Sequence, residues 1–422
     1  MILRLGSATF GVDLETTRGS LKMPYIRNGL VNVLEGISRY GVTRPQRLAA
    51  PFLVVWNFTN ACNLSCKHCY QRADKPSADE LSTAEAKSII DQLDELNVSS
   101  IAFSGGEPLM RRDFFEVAGY AAGKGLYVSV ATNGTMLTEK NVERLRQSGV
   151  SYVEVSIDGA SSDTHDSFRG TRGAFNRTID GIRKAVNAGL FTGIATVSTR
   201  KNLYEIPEIV KLANGLGVGR LIVFNFIPTG RGEEIVDIDL SPEQRENLLK
   251  YLYKELSSGS MEALSTAPQY ARVCLQQSLA EGRDITAPTH FAAMNLPSRT
   301  RQLAEFLGGC GAGRLYCAIQ PNGLVTPCVF MPIVIGDLRR QSLREIWSTS
   351  KVLRDLSDRE ALKGRCGRCL YKYICGGCRA RAYAYYGDYL APDLGCIRER
   401  EDPSSSFSRQ CLKTCISAMK NS

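Results

Sequence analysis

The chain has 422 residues, 43% hydrophobic and 23% charged, with a formal net charge of +9; that is the balance of an ordinary globular protein with room for one large domain and a smaller one. No apolar run is long enough to cross a bilayer, and the first residues, MILRLGSATFGVDLETT, lack the basic start and apolar stretch of a secretory signal, so the expected location is cytoplasmic. The positive charge reads as a solvated basic surface, or as attraction to an acidic substrate or a nucleic acid, and by itself it selects neither.

Residues 1–50 form a polar N-terminal extension, expected to dock on the main domain as a short hairpin or helix. From 51 the chain alternates short apolar runs with amphipathic stretches. The runs at 51–57, 100–103, 126–132, 151–157, 191–198 and 220–227 are rich in Val, Ile, Phe and Tyr, as buried strands are. Helical patterns separate them, at 83–96, 113–124, 138–148, 174–189 and 205–215; in the first, Ala86, Ile89, Ile90 and Leu93 share one face. Ser82 and Thr138 stand where N-caps stand. Alternation at this spacing implies parallel βα units, about six of them. The expected fold is α/β: a partial (β/α)6 TIM-like barrel over 51–235, with its site at the C-terminal ends of the strands. Residues 236–305 read as a mostly helical connector. Residues 306–400, Gly- and Cys-rich with little periodicity, read as a domain that folds around metal, and 401–422 as a polar tail.

Fourteen cysteines need a reason. In a reducing compartment a disulfide framework is not expected, and clustered cysteines point to metal. Cys62, Cys66 and Cys69 sit in CNLSCKHC, directly after the first strand. Three thiolates at this spacing can wrap one loop around a cubane, and a [4Fe–4S] cluster normally takes four cysteines. With no local fourth, one iron stays open and can chelate the amino and carboxylate groups of S-adenosylmethionine (SAM). The competing reading is a zinc loop completed by His68 or by an outside ligand, although structural zinc sites pair their ligands across a longer spacer.

On these residues the sequence resembles the radical SAM superfamily, and the match extends beyond the loop. SGGEP at 104–108 follows the next strand, as the family's SAM-amine segment does. Gly105 and Gly106 let the backbone approach a ligand, and Glu107 is expected to accept from the SAM ammonium. ATNGT at 131–135 and SIDG at 156–159 end the next two strands. The resemblance implies that Asn133, Ser156 and Asp158 lie near the SAM ribose or methionine, and that Arg169, in FRG at 168–170, meets its carboxylate. His68 stands where the family usually packs an aromatic residue near adenine. The implied reaction is reductive cleavage of SAM to a 5′-deoxyadenosyl radical that abstracts a substrate hydrogen, with ferredoxin or flavodoxin as electron donor. No side chain is singled out as catalytic.

The later cysteines, Cys310, Cys317 and Cys328 followed by Cys366, Cys369, Cys375, Cys378 and Cys396, resemble the SPASM domain of such enzymes. That resemblance implies an inner auxiliary [4Fe–4S] cluster on Cys310, Cys317, Cys328 and Cys378, and an outer one on Cys366, Cys369, Cys375 and Cys396. The clusters would accept an electron or position the substrate. Two residues separate Cys375 from Cys378 where many SPASM domains have three. A four-cysteine zinc site within 366–378 is the competing reading. Cys274, Cys411 and Cys415 are left over.

The segment from Cys366 to Cys396, and PTGRGEEI at 228–235, resemble the branch containing the haem-forming Fe-coproporphyrin decarboxylase. The leading expectation is therefore oxidative decarboxylation of a tetrapyrrole side chain, with Arg231, Arg379 and Arg381 as carboxylate partners; structural pairing is their alternative role. The second expectation is modification of a peptide or protein residue by cross-linking, oxidation or C-methylation. C-methylation would call for cobalamin, for which the sequence has no distinct domain. Nucleic-acid modification rests on net charge alone.

Overall fold

The computed structural model describes residues 24–40, 48–288, 293–296, 305 and 308–398; Cys411, Cys415 and the polar tail lie outside them. The N-terminal extension docks as a helix, α1 (Pro24–Tyr40), whose buried Asn32 donates its side-chain amide to the carbonyl of Asn97 at 2.6 Å.

The alternation then resolves into six parallel strands in sequential order: β1 (Leu53–Thr59), β2 (Ser100–Gly105), β3 (Tyr127–Thr132), β4 (Tyr152–Ser156), β5 (Thr192–Ser198) and β6 (Arg220–Asn225). The crossovers are α2 (Thr83–Glu95), α3 (Phe114–Gly123), α4 (Glu139–Gln147), the pair α5 (Ser162–Arg169) and α6 (Ala174–Asn187), and α7 (Ile206–Gly215). Three of them start at a capping side chain. Ser82 caps α2 in a full capping box with Glu85, and Thr138 accepts from the Asn141 backbone at the start of α4. The period-2 strand pattern sorts the side chains. Trp56, Phe58 and Phe103 face the helices with no exposed surface, and Phe103 meets Phe58 and Phe114 at 5.0 and 5.6 Å. Each such buried ring contributes about 1.5–3 kcal/mol. Leu53, Val55, Ala102, Ser104, Glu154 and Ser156, on the opposite faces, line the barrel interior.

The sheet is larger than the six expected strands. Among the described residues it has ten strands, with one added beyond β6 and three beyond β1. After α8 (Pro242–Ser258), β7 (Glu262–Ser265) pairs parallel with β6. The connector is thus not purely helical: α9 (Gln269–Ala280) follows β7, and β8 (Ile285–Pro288) and β9 (Ala293–Leu296) form a separate antiparallel pair. At the other edge β10 (Tyr316–Ile319) pairs parallel with β1, Leu53 opposite Tyr316 and Val54 opposite Cys317. Antiparallel β11 (Leu324–Thr326) and β12 (Gly336–Asp337) complete that edge. The cysteine-rich region therefore extends the barrel's own sheet before it winds through α10 (Leu343–Thr349), α11 (Lys351–Ser357), α12 (Gly364–Arg368) and α13 (Arg379–Tyr386). Among the described residues no helix is long and apolar enough to cross a membrane.

Candidate active site

Beyond β1 the chain closes a loop: the Cys62 amide donates to the Asp74 carbonyl, and the Asp74 amide to the Asn60 carbonyl, both at 2.9 Å. Cys62, Cys66 and Cys69 all face a cavity of about 490 Å³ that fills the barrel interior. Two clamps hold the loop. From the end of α5, the Phe168 carbonyl accepts from the Lys67 amide at 3.0 Å. From the segment after β6, the Arg231 amide donates to the Cys69 carbonyl at 2.9 Å, while its guanidinium donates to the carbonyls of Cys66 (2.8 Å) and Ala73 (3.1 Å). Arg231, expected as a substrate carboxylate partner, is thus a brace for the cysteine loop.

The predicted SAM residues divide into two groups. Gly105, Gly106, Asn133, Ser156 and Arg169 line the cavity. Gly106 admits no side chain, because a Cβ there would stand 2.0 Å from the Ala61 carbonyl oxygen. The Asn133 amide donates to Asn63 Oδ1 at 2.8 Å and so ties the end of β3 to the cysteine loop. Glu107 and Asp158 have no exposed surface and meet protein groups instead. The Glu107 carboxylate accepts from the Leu109 amide, the Thr132 hydroxyl and the Asn133 amide, which satisfies a charge that is costly to bury. Burial still lifts its pKa to about 6 against those three donors. Asp158 accepts from the Val197 amide at 2.8 Å and pairs with Arg169 Nη2 at 2.7 Å. Burial pushes its pKa up, but Arg169 leads the groups that bring it below the ordinary value. Both carboxylates organise the loops that line the cavity. His68 stacks on Phe168, centroids 4.3 Å apart, with Nε2 3.5 Å from Asp158 Oδ2. Burial lowers its pKa to about 4, so the imidazole is neutral at pH 7.

The chemistry of the loop suits an iron–sulfur cluster. Arg169 Nη1 donates to Cys66 Sγ at 3.7 Å and the Ala73 amide to Cys69 Sγ at 3.4 Å, so donors already point at sulfur. Burial pushes the Cys62 thiol up to about 12, so its thiolate forms only where a compensating cation such as a bound metal stabilises it. His68 Nδ1, Arg169 Nε and Arg231 Nη2 are buried without a protein partner, as they would be if a bound group satisfied them. Among the described residues no group of three or more His, Cys, Asp or Glu side chains is gathered around a single ion-sized point. A cubane, taking one thiolate per iron, asks for a wider nest.

The later cysteines form two nests. Cys366, Cys369, Cys375 and Cys396 all line a second cavity of about 310 Å³. Backbone amides of Tyr371, Gly377 and Asp393 donate to the sulfurs of Cys369, Cys375 and Cys366 at 3.4–3.5 Å. Cys310, Cys328 and Cys378 line the barrel cavity, facing the first loop, and the Tyr316 hydroxyl donates to Cys328 Sγ at 3.2 Å. The two-residue gap from Cys375 to Cys378 is bridged by Gly376 and Gly377, with φ of +66° and +65°, and this left-handed turn sends the two thiols to different nests. Arg359 lies between the nests: Nη2 donates to the Cys310 carbonyl at 2.8 Å, while Nε and Nη1 are buried without a protein partner.

One expected ligand stands apart, and two arginines take the structural one of their two expected roles. Cys317 does not join Cys310, Cys328 and Cys378. It is the neighbour of the cavity-facing Tyr316 on a strand, so it points to the other face, into the core with Val54 and Ile319. Arg379 and Arg381, fully or almost fully buried, are internal braces. Arg379 donates to the carbonyls of Tyr389 (2.9 Å) and Ala391 (2.7 Å). Arg381 pairs with Asp239 at 2.7 Å and Asp393 at 3.2 Å and donates to the Phe226 carbonyl at 2.8 Å. Cys274 is a core thiol with no exposed surface.

Comparison with known proteins agrees with this architecture. Residues 56–213 match the model of the radical SAM superfamily, and 310–370 that of SPASM, an iron–sulfur cluster-binding domain. The chain is 42% identical to the AdoMet-dependent heme synthase of Methanosarcina barkeri, over 82% of this chain and 97% of that protein. It is 31% identical to the mycofactocin maturase of Mycobacterium tuberculosis, over 86% and 87%. The fold is similar to that of Streptococcus suis SuiB bound to S-adenosylmethionine, with a TM-score of 0.67 and 18% identity, covering 91% of this chain and 87% of that one. A three-cysteine loop at the mouth of a partial barrel, a second cysteine-rich domain built onto the same sheet, and a relative matched over nearly its whole length identify the chain as an enzyme that binds SAM and [4Fe–4S] clusters: it belongs to the radical SAM superfamily, in the SPASM-domain subgroup.

Proposed function

We propose that this enzyme oxidatively decarboxylates a carboxylate side chain of a tetrapyrrole, as a haem synthase does. The observation that carries the reading is the heme synthase relative, matched over 97% of its length at 42% identity. The cavity supports it: at about 490 Å³, with Leu53, Val55, Ile222, Phe226, Ile227 and Phe330 on its walls, it suits a flat, largely apolar ligand.

In this reading Cys62, Cys66 and Cys69 hold the SAM cluster, and Gly105, Gly106, Asn133, Ser156 and Arg169 receive SAM. Cys366, Cys369, Cys375 and Cys396 hold the outer cluster. When bound, SAM and its cluster supply the hydrogen-abstracting radical, and the auxiliary clusters an electron acceptor. The side chain then loses one hydrogen atom, one electron and carbon dioxide, and a propionate becomes a vinyl group. The chain's own residues fix the cysteine loop through Arg231 and Asn133, hold Arg169 against Asp158, and keep the cavity dry. A cytosolic ferredoxin or flavodoxin is the proposed reductant.

The test is anaerobic incubation with SAM, reductant and Fe-coproporphyrin III. The expected products are 5′-deoxyadenosine, carbon dioxide and a vinyl-bearing porphyrin. An enzyme that cleaves SAM and modifies a peptide while returning the porphyrin intact belongs instead with the peptide maturases.

A further inference from the structure

The inner nest offers three thiols where a complete cubane needs four. Cys310, Cys328 and Cys378 share the wall of the barrel cavity. Cys317 is held away from them by the sheet itself. Its strand is in register with β1 at four successive positions, Leu53 opposite Tyr316 through Trp56 opposite Ile319. Val54, opposite Cys317, has no exposed surface and packs in the same helix-side core. Bringing Cys317 to the cavity takes a one-residue slip of β10, which turns every side chain of the strand over. Tyr316 would then carry its hydroxyl into that apolar core and lose its bond to Cys328. The other cysteines among the described residues are committed elsewhere: Cys62, Cys66 and Cys69 to the first loop, Cys366, Cys369, Cys375 and Cys396 to the second cavity, Cys274 to the core.

We propose that Cys310, Cys328 and Cys378 alone hold the inner auxiliary cluster, and that its fourth iron opens onto the substrate cavity as a binding site for a carboxylate oxygen of the substrate. Both three-thiol nests line one cavity, so this iron and the SAM cluster face the same bound molecule. A carboxylate anchored on one wall leaves a neighbouring part of that molecule presented to the other. An iron with a free coordination position takes an anionic oxygen donor readily, and the apolar walls strengthen the attraction by excluding water. The choice of a carboxylate rests on the decarboxylation reading; the open iron does not.

The test uses full-length protein in which Cys62, Cys66 and Cys69 are all replaced by alanine, so that only auxiliary clusters remain. Reconstituted anaerobically, it should hold about eight irons. Adding Cys317→Ala should leave that number and the reduced-cluster resonance unchanged, whereas Cys310→Ala, Cys328→Ala or Cys378→Ala should each remove about four irons. Loss of four irons with Cys317→Ala overturns the ligand set. Should Cys317→Ala fail to fold, the parent variant still decides the matter by electron–nuclear double resonance with ¹³C-cyanide and with coproporphyrin III carrying ¹³C in its carboxylates. Carbon coupling from both probes is the expected result. Coupling from cyanide alone keeps the open iron and overturns the carboxylate, and with it weakens the tetrapyrrole reading. Coupling from neither, or a strongly coupled protein nitrogen in their absence, means a side chain fills the fourth position, and the proposal falls.

Discussion

Arg381 illustrates what a charge in a sequence leaves open. Its position in a basic, aromatic stretch suggested a substrate propionate, yet it lies 2% exposed between Asp239 and Asp393. One of those carboxylates, Asp239, lies 142 positions away in the chain, and no local pattern carries that. The protein partners of Glu107 and Asp158 are hidden from the sequence for the same reason, whereas Gly106 is legible because only glycine fits where backbones nearly touch. Glu154 escaped notice in the sequence altogether. It faces the barrel interior from β4, accepts one long bond from the Tyr152 hydroxyl at 3.5 Å, and neighbours an Arg220 already committed to Glu262 at 2.6 Å. Burial raises its pKa from 4.5 to about 7, against the pull of Arg220. A carboxyl raised in the folded state contributes stability that is complete below its unfolded pKa and is lost as pH rises through the folded one. Glu154→Gln, which cannot ionise, should therefore gain on the parent protein between pH 4.5 and pH 8 by about 3 kcal/mol. Anaerobic denaturant melts across that range check it; a stability difference that does not change with pH would count against a buried, titrating Glu154.

At the scale of elements, the six barrel strands and most of their crossover helices were legible because each buries one face and repeats with its own period. The α2 and α4 caps were legible too, since Ser82 and Thr138 act on backbone within three residues. The strands β7 and β10 to β12 were not. They run two to four residues, too short for a period, and sit among glycines and cysteines that read as irregular chain. With β10 unseen, the alternation that turns Cys317 away from Tyr316 was unseen as well. The Cys375-to-Cys378 turn is the converse case, a spacing that looked short and works because of its residue types. A Cβ at Gly377 would stand 3.0 Å from Cys366 Sγ and 2.8 Å from Asp393 Cβ, at a φ of +65°. Gly377→Ala therefore combines a left-handed penalty of about 1–2 kcal/mol with intrusion on Cys366, a proposed cluster ligand. It should lower the iron of the reconstituted enzyme from about twelve to about eight atoms per chain. Iron analysis with resonance spectra checks this, and a full complement with unaltered outer-cluster signals would mean that the turn tolerates a side chain.

For the whole molecule, the single sheet matters more than the division into domains. A barrel over 51–235 and a metal-folded region from 306 were expected as neighbours, but β10 hydrogen-bonds to β1, the strand that delivers the first cysteine loop. The Trp347 indole reaches back further, donating to the Leu48 carbonyl at 2.9 Å just ahead of β1. The cysteine-rich region packs its own apolar residues, among them Leu343, Ile346, Trp347 and Leu353, and metal bound in its nests would add to its folding free energy. Loss of that metal should then be felt along β1 and fade across the sheet, because opening proceeds in contiguous units of unequal stability. Hydrogen exchange of the reconstituted enzyme against its iron-depleted form tests this. The depleted form should exchange fast over 310–396, intermediately over β10 and β1, and little faster than the holoenzyme over β3 to β5, which are paired on both sides by barrel strands. Uniform acceleration of the whole chain would make the enzyme one cooperative unit; acceleration confined to 366–396 would make β10 a part of the barrel that needs no auxiliary cluster. Either result would break the physical link between the outer wall of the cavity and the loop of Cys62, Cys66 and Cys69.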